Sequence, residues 1–302
     1  MIISIKDNWS DAEKEHNVFL SQIINDFLGR MGPHTFISMK VMKFIDDIYH
    51  LLILSEKDDL IDSISIYDAI LLTLSNGEKE EFNQQLKNIF DYNAFVRKSK
   101  KWNAYSLCKT SKTRTCPYCN QAYAFTIQKN DRGFRPTLDH FYCKDKYPHL
   151  ALALNNLVPS CNTCNSSLKG QINFYITEHL NPLWDNENLS FSLSASENIA
   201  SLESQIKNRS DKLKITITLD NPNCNLSRNS IETFMLEERY EFMIDEAIDF
   251  LIAKMNYEEA CNNIEYFRGI SEATFIRFDK ENYKNHLLGK LYLGLYNQYS
   301  ES

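Results

Sequence analysis

Two Cys-x-x-Cys pairs constrain the fold of this chain more than any other feature of its sequence. Cys116 and Cys119 form the first pair, and Cys161 and Cys164 follow after a gap of 41 residues. Each pair offers two thiolates to one tetrahedral ion, which predicts a structural zinc site with four sulfur ligands. A closed site of this kind has no open position for catalysis. The other cysteines have no partner at ligand spacing and are interpreted as lone thiols: Cys108, Cys143, Cys224 and Cys261.

A second set of polar residues accompanies the cysteines. Asp139 and His140 end an apolar run, Asn156 precedes the second cysteine pair, and Asn165 directly follows Cys164. Neighbouring residues on a helix point about 100° apart, so Cys164 can bind zinc while Asn165 faces a different site. We therefore expect two separate centres, with the zinc fixing the helix that carries Asn165.

In this pattern, over roughly residues 102–184, the chain resembles the HNH endonuclease family, whose catalytic unit is a ββα-metal finger. The resemblance implies that His140 is the general base. It implies that Asp139 and Asn165 hold a catalytic divalent ion, Mg²⁺ or Mn²⁺, through oxygen atoms. It also implies that Asn156 steadies the loop between the two strands, and with it the histidine.

A narrower resemblance concerns residues 138–142, Tyr147-Pro148, residues 156–161 and Lys169-Gly170. These segments are similar to the nuclease subunit of Septu-type and retron-associated bacterial anti-phage defence systems, which act beside an ATPase partner. The resemblance implies a nucleic-acid substrate, with DNA expected first and tRNA or other RNA as the alternative. Cys143 departs from the subgroup, which more often has proline there, and could alter the turn after the base.

The fold class expected is α+β, with a zinc-stabilised ββα-metal core flanked by mainly helical segments. We predict a helical segment over residues 1–95, the nuclease core over 96–185 and a mainly helical segment over 186–302. The first segment has periodic apolar residues but no catalytic grouping, and His16, His34 and His50 are interpreted as ordinary histidines. A docking surface for a partner is the hypothesis for this segment.

Periodicity and turn signals predict the individual elements. Near the amino terminus, helices are expected from a Ser10–Glu13 capping box to about Gly29, then over 36–54, 67–74 and 78–90, with a turn at Asn76-Gly77. In the core we expect a strand over 123–128, a turn over 130–133, a returning strand over 135–141, a strand over 155–159 and a helix over 162–169. Beyond the core we expect a strand over 213–219, a long helix starting near Asn229 and a last helix over 283–296.

The charge is distributed unevenly. The chain carries a net charge of −7, yet residues 95–170 contain thirteen Lys and Arg against three Asp, a local balance of +10 that leaves −17 for the rest. A basic island is what binding of a polyanion requires. Trp102 and Tyr105 lie among these cations; we favour packing for the aromatic rings and phosphate contact for the lysines, while the alternative is that the lysines only solvate the surface.

The longest apolar runs, residues 51–54 and 151–154, are too short to span a bilayer, and the amino terminus does not resemble a signal peptide. We expect no membrane association and a cytoplasmic location with reduced cysteines.

Two other functions fit parts of the sequence. A non-catalytic zinc-ribbon adaptor for nucleic acid or protein explains the cysteines. It does not explain why Asp139, His140 and Asn165 occur together. A thiol-disulfide oxidoreductase using Cys116 and Cys119 leaves the second pair unexplained. Bound zinc argues against the oxidoreductase, and dispensability of the three polar residues would favour the adaptor.

Overall fold

The computed structural model describes residues 3–30, 35–97, 101–130, 132–195 and 201–300. The chain is a mixed α+β protein, as predicted, with helices and three small antiparallel sheets of two strands among the described residues. Its contacts divide it into two compact units: the first comprises residues 5–112 and 124–185, and the second residues 1–4, 113–123 and 186–302. Three parts of the sequence-based predictions lie outside the described residues: His34, residues 98–100 of the basic stretch and residue 131 of the predicted turn.

In the part of the first unit that the structure describes, six α-helices come first. They are α1 (Glu13–Arg30), α2 (Phe36–Leu54), α3 (Lys57–Leu72), α4 (Asn76–Ile89), α5 (Tyr92–Val96) and α6 (Ala104–Thr110). The predicted bounds of α2 are confirmed. Its start is fixed by the Thr35 side chain, which accepts a hydrogen bond from the Ser38 N–H at 3.0 Å, and its end by Ser55 in the left-handed conformation.

Two helix predictions near α3 and α4 were wrong in their bounds. Helix α3 starts ten residues before the predicted position, and the Asn76-Gly77 pair lies in the first turn of α4 rather than in a connecting turn. Ser75 and Glu78 form a capping box around this start, so the cap outweighs the turn signal.

Four short strands follow in the first unit. Strand β1 (Ile127–Lys129) pairs with β2 (Arg132–Phe134), and β3 (Thr137–His140) pairs with β4 (Leu157–Ser160). The predicted strands over 123–128 and 135–141 do not form one hairpin, because β3 pairs instead with the segment just before the second cysteine pair. A π-helix over Thr163–Lys169 follows β4, close to the predicted helix.

Helices α1, α2 and α3 contact the loop that connects β3 to β4. The His149 ring of this loop lies 5.3 Å from the Phe44 ring and 5.0 Å from the Tyr67 ring, inside the core of α2, α3 and α4. The His16 Nε2 atom lies 2.7 Å from the Leu152 carbonyl oxygen, and the Trp9 indole donates to the Leu157 carbonyl. The amino-terminal segment therefore supports β4 and the loop before it, a role that the docking hypothesis did not include.

The described residues of the second unit contain one further sheet and six more α-helices. Strands β5 (Leu189–Ala195) and β6 (Leu213–Leu219) pair along their full length, and the bounds of β6 match the prediction. Helix α12 (Gly289–Ser300) crosses β5 at Gly294, where a Cβ atom would overlap the Phe191 carbonyl. The helices are α7 (Leu202–Lys207), α8 (Asn225–Thr233), α9 (Leu236–Glu241), α10 (Ile244–Asn263), α11 (Glu272–Ile276) and α12 (Gly289–Ser300).

The single long helix predicted from Asn229 is wrong, because the segment forms α8, α9 and α10. Met235 adopts the left-handed conformation between α8 and α9, with a φ of 49°.

The last helix begins at Gly289, after a 3₁₀ segment over Lys280–Asn285, six residues later than predicted. In the described parts of the chain, no helix combines the length and the apolar character that crossing a bilayer requires.

Candidate functional site

The four predicted zinc ligands come together. The sulfur atoms of Cys116, Cys119, Cys161 and Cys164 all lie within 4.8 Å of one another in a buried cluster, although Cys161 as a whole residue is partly exposed. Zinc–sulfur bonds of about 2.3 Å in a tetrahedron place the sulfurs about 3.8 Å apart. The cluster therefore fits a zinc ion held by four thiolates.

Each cysteine pair has the backbone turn that such a site uses. After Cys116, the Asn120 N–H donates to the Cys116 carbonyl at 2.7 Å, and Asn120 has a left-handed φ of 53°. The N–H of Gln121 points at the Cys119 sulfur at 3.5 Å, and the N–H of Cys164 points at the Cys161 sulfur at 3.4 Å. These N–H groups can stabilise negative charge on the sulfurs.

A separate cleft of about 270 Å³ lies in the first unit. Asp139 and His140 at the end of β3 and Asn165 on the π-helix, three of the four predicted catalytic residues, line it together. Oxygen atoms of a carboxylate and an amide are suitable ligands for a hard divalent ion, so the donor set fits Mg²⁺ or Mn²⁺. The other lining residues are Cys143, Lys144, Asp145, Ser166, Lys169, Gly170 and Gln171.

Asn156, the fourth predicted residue, does not line this cleft. It is fully buried in a 3₁₀ turn just before β4, rather than on the strand as predicted. Its side chain accepts from the Tyr142 N–H at 2.7 Å and donates to the carbonyls of Tyr142 and Leu150, both at 3.0 Å. These three hydrogen bonds tie the start of the β3–β4 loop, at Tyr142, to the middle of that loop, at Leu150.

His140 is held from two sides. Its Nε2 atom lies 3.0 Å from the Ala151 carbonyl oxygen, and the Tyr92 ring stands nearly perpendicular to the imidazole at 4.4 Å. A carbonyl can only accept, so Nε2 carries the proton and Nδ1 keeps the lone pair. Burial lowers the pKa of His140 to about 4, although the Ala151 bond opposes the shift. The imidazole is therefore neutral at pH 7 and able to take up a proton.

Lys169, for which the sequence predicts no role, lies against Asp139. Its Nζ lies 2.7 Å and 2.9 Å from the two carboxylate oxygens and also donates to the His140 carbonyl. Both side chains are almost completely buried, and the ammonium lies 4.6 Å from the centre of the Phe174 ring. A signal existed in the sequence, because Lys169 is four residues after Asn165 and so shares its helical face.

The structure describes some of the lysines that were predicted to form a basic surface. Lys101 and Lys109 are exposed, whereas Lys112 lies 3.4 Å from the Asp7 carboxylate. The aromatic residues of this stretch have internal contacts, as expected: Trp102 donates to His16 Nδ1 at 3.1 Å, and the Tyr105 hydroxyl donates to the Gly133 carbonyl. Tyr92, which supports His140, comes from α5 and had no signal in the sequence.

No model of a known protein family, no curated protein and no solved structure matches this chain.

Proposed function

We propose that this chain is a metal-dependent HNH endonuclease that hydrolyses phosphodiester bonds in nucleic acid. The observation that carries the proposal is that Asp139, a neutral His140 and Asn165 line one cleft, with His140 oriented by the Ala151 carbonyl. The order of strand β3, strand β4 and the π-helix around this cleft supports the resemblance to the ββα-metal finger.

In this mechanism, Nδ1 of His140 accepts a proton from the attacking water. The Ala151 carbonyl fixes the tautomer, and Tyr92 limits rotation of the ring. Asp139 and Asn165 would hold the divalent ion through oxygen atoms. When bound, this ion neutralises charge on the phosphate and stabilises the departing oxygen.

The biological setting is inferred from the resemblance alone. We propose that the nuclease is the effector of a bacterial anti-phage defence system, that it acts with an ATPase partner in the cytoplasm, and that DNA is its first substrate and tRNA the alternative. The exposed cations Lys101 and Lys109, together with Lys129 and Arg132 of the β1–β2 hairpin, are available for phosphate contact.

The test is cleavage of supercoiled plasmid and of total tRNA by zinc-loaded protein with Mg²⁺ or Mn²⁺. We expect His140→Ala to abolish cleavage and His50→Ala, a change at an exposed histidine of α2, to preserve it. Full activity in the His140 variant would refute the assignment of the base. If the wild-type protein cleaves neither substrate, alone or with the ATPase partner, the result would favour the zinc-ribbon adaptor.

A further inference from the structure

Lys169 uses all three of its N–H groups within the protein. They point to the two oxygens of Asp139, at 2.7 Å and 2.9 Å, and to the His140 carbonyl. A lysine ammonium has three donors and no acceptor, so this set saturates it. Asp139 thus has a resident cation on both of the oxygen atoms that the proposed metal site requires.

The cleft as a whole carries no net formal charge. Four of its lining side chains are ionisable as Asp or Lys, namely Asp139, Asp145, Lys144 and Lys169, and their charges of −2 and +2 cancel. Lys144 and Asp145 also lie 3.0 Å apart and compensate each other. Neither Asn165 nor the neutral His140 adds negative charge.

The electrostatic attraction of such a cleft for a divalent cation is weak. It meets one carboxylate that is already neutralised, and it approaches a buried ammonium whose charge repels it at low dielectric. A phosphodiester brings one negative charge of its own. Once a phosphate lies in the cleft, the attraction on a divalent ion increases. The positive charge of Lys169 then interacts with the phosphate as well as with Asp139.

We propose that Lys169 makes uptake of the catalytic ion depend on the bound nucleic acid, because it neutralises Asp139 until a phosphodiester supplies the missing negative charge. The inference rests on the proposed function and concerns the regulation of that same site. Lys169 acts through Asp139 and is therefore a positioning residue. The consequence is a nuclease that does not hold its metal ion in the absence of substrate.

The test measures Mn²⁺ binding by the loss of the free-ion electron paramagnetic resonance signal. Zinc-loaded protein carrying His140→Ala, which blocks cleavage, is titrated alone, with a short DNA duplex and with an RNA duplex of the same sequence. The same titrations with Asp139→Asn added measure binding elsewhere, including to the duplex. We expect Asp139-dependent binding to tighten by about tenfold or more when a duplex is present.

Substitution of the lysine provides the second arm. We expect Lys169→Met to bind Mn²⁺ without nucleic acid, about tenfold or more tightly than its parent. Lys146→Met removes the same charge from an exposed position on the β3–β4 loop and should leave binding unchanged. If Lys169→Met does not fold, Lys169→Gln, which removes the charge but keeps N–H donors for Asp139, takes its place in the same titration.

The outcomes separate this inference from the proposed function. Asp139-dependent Mn²⁺ binding of equal affinity with and without duplex would overturn the inference and leave the metal site intact. An absence of Asp139-dependent binding under all conditions would overturn both.

Discussion

The side-chain amide of Asn156 closes a ring with the backbone of Tyr142, accepting from its N–H at 2.7 Å and donating to its carbonyl at 3.0 Å. The same amide donates to the Leu150 carbonyl, one residue before the carbonyl that orients His140. Asn156 therefore governs the path of the loop from which His140 receives its hydrogen bond.

Asn156→Asp should be strongly destabilising. The carboxylate can still accept from the Tyr142 N–H, but it cannot donate to the two buried carbonyls and repels them instead. Each lost buried hydrogen bond costs about 1–3 kcal/mol, so we expect the free energy of unfolding to fall by about 3 kcal/mol. Urea titration measures this loss, and cleavage activity should fall with it because the Ala151 carbonyl shifts.

Asn155→Asp is the matched control. Asn155 hydrogen-bonds to Ser55 through its backbone N–H, which the substitution keeps. Equal destabilisation by the two variants would contradict a specific role for Asn156.

Asn165→Ala should impair cleavage without unfolding the protein. The residue is only half-buried and lines the same cleft as Asp139. Removing an oxygen ligand should lower the cleavage rate about 100-fold at limiting Mg²⁺. Kinetics at several Mg²⁺ concentrations measure the effect, which excess ion should partly restore.

Ser166→Ala tests the specificity of that result. Ser166 lines the same cleft, but its hydroxyl donates to the Asn162 side chain on the exposed face of the helix. A loss of activity as large as that of Asn165→Ala would mean that the π-helix, rather than the Asn165 oxygen, is what the reaction needs.

Sequence patterns predicted those elements whose signal is local. The apolar period of α2 and the alternation of Ile and Thr in β6 depend on neighbouring residues, and both elements have the predicted bounds. The segment from Asn225 to Asn263 keeps a helical apolar period across two breaks. Periodicity cannot detect a left-handed residue such as Met235, so the three helices were predicted as one.

The part of the candidate site that could be predicted is the part that residue spacing in the sequence reveals. The four cysteines and the polar residues near them follow a spacing that the sequence displays. The contact of His140 with Tyr92 joins separate elements, and the spacing of Lys169 from Asn165 predicts a shared helical face but not the contact with Asp139. Such contacts depend on tertiary packing, which a single sequence does not specify through any local pattern.

The cysteine cluster predicts about one zinc ion per chain in protein purified under reducing conditions. Cys164→Ser should abolish zinc retention, because three thiolates bind the ion more weakly than four. We expect lower thermal stability as well. Elemental analysis and thermal unfolding measure the two effects.

Cys224→Ser is the control for the zinc prediction, since Cys224 is a half-buried thiol outside the cluster. Zinc content should remain at the wild-type level in this variant. Stoichiometric zinc in the Cys164 variant would show that the metal binds elsewhere.

Buried His16 makes stability depend on pH. Its Nε2–H donates to the Leu152 carbonyl at 2.7 Å and its Nδ1 accepts from the Trp102 indole at 3.1 Å, so both nitrogens are occupied in the neutral form. Burial lowers the pKa of His16 from 6.5 to about 4, against the opposing effect of the Leu152 bond. Protonation requires the loss of the Trp102 contact.

The sign of the pH effect follows from the direction of this shift. Between pH 6.5 and 4 the unfolded chain binds the proton and the folded chain does not, so acidification favours unfolding. For this one group, the free energy of unfolding should fall by about 2 kcal/mol from pH 7 to pH 5. His16→Gln should be less stable than wild type at pH 7, and the difference should narrow by about 2 kcal/mol at pH 5.

His50→Gln is the control for this prediction, because His50 is exposed on α2 and the same change there should leave the pH dependence unaltered. Urea titrations at the two pH values measure all three proteins. A stability difference between wild type and His16→Gln that stays constant with pH would mean that the pKa of His16 is the same in the folded and the unfolded chain, and would contradict the prediction.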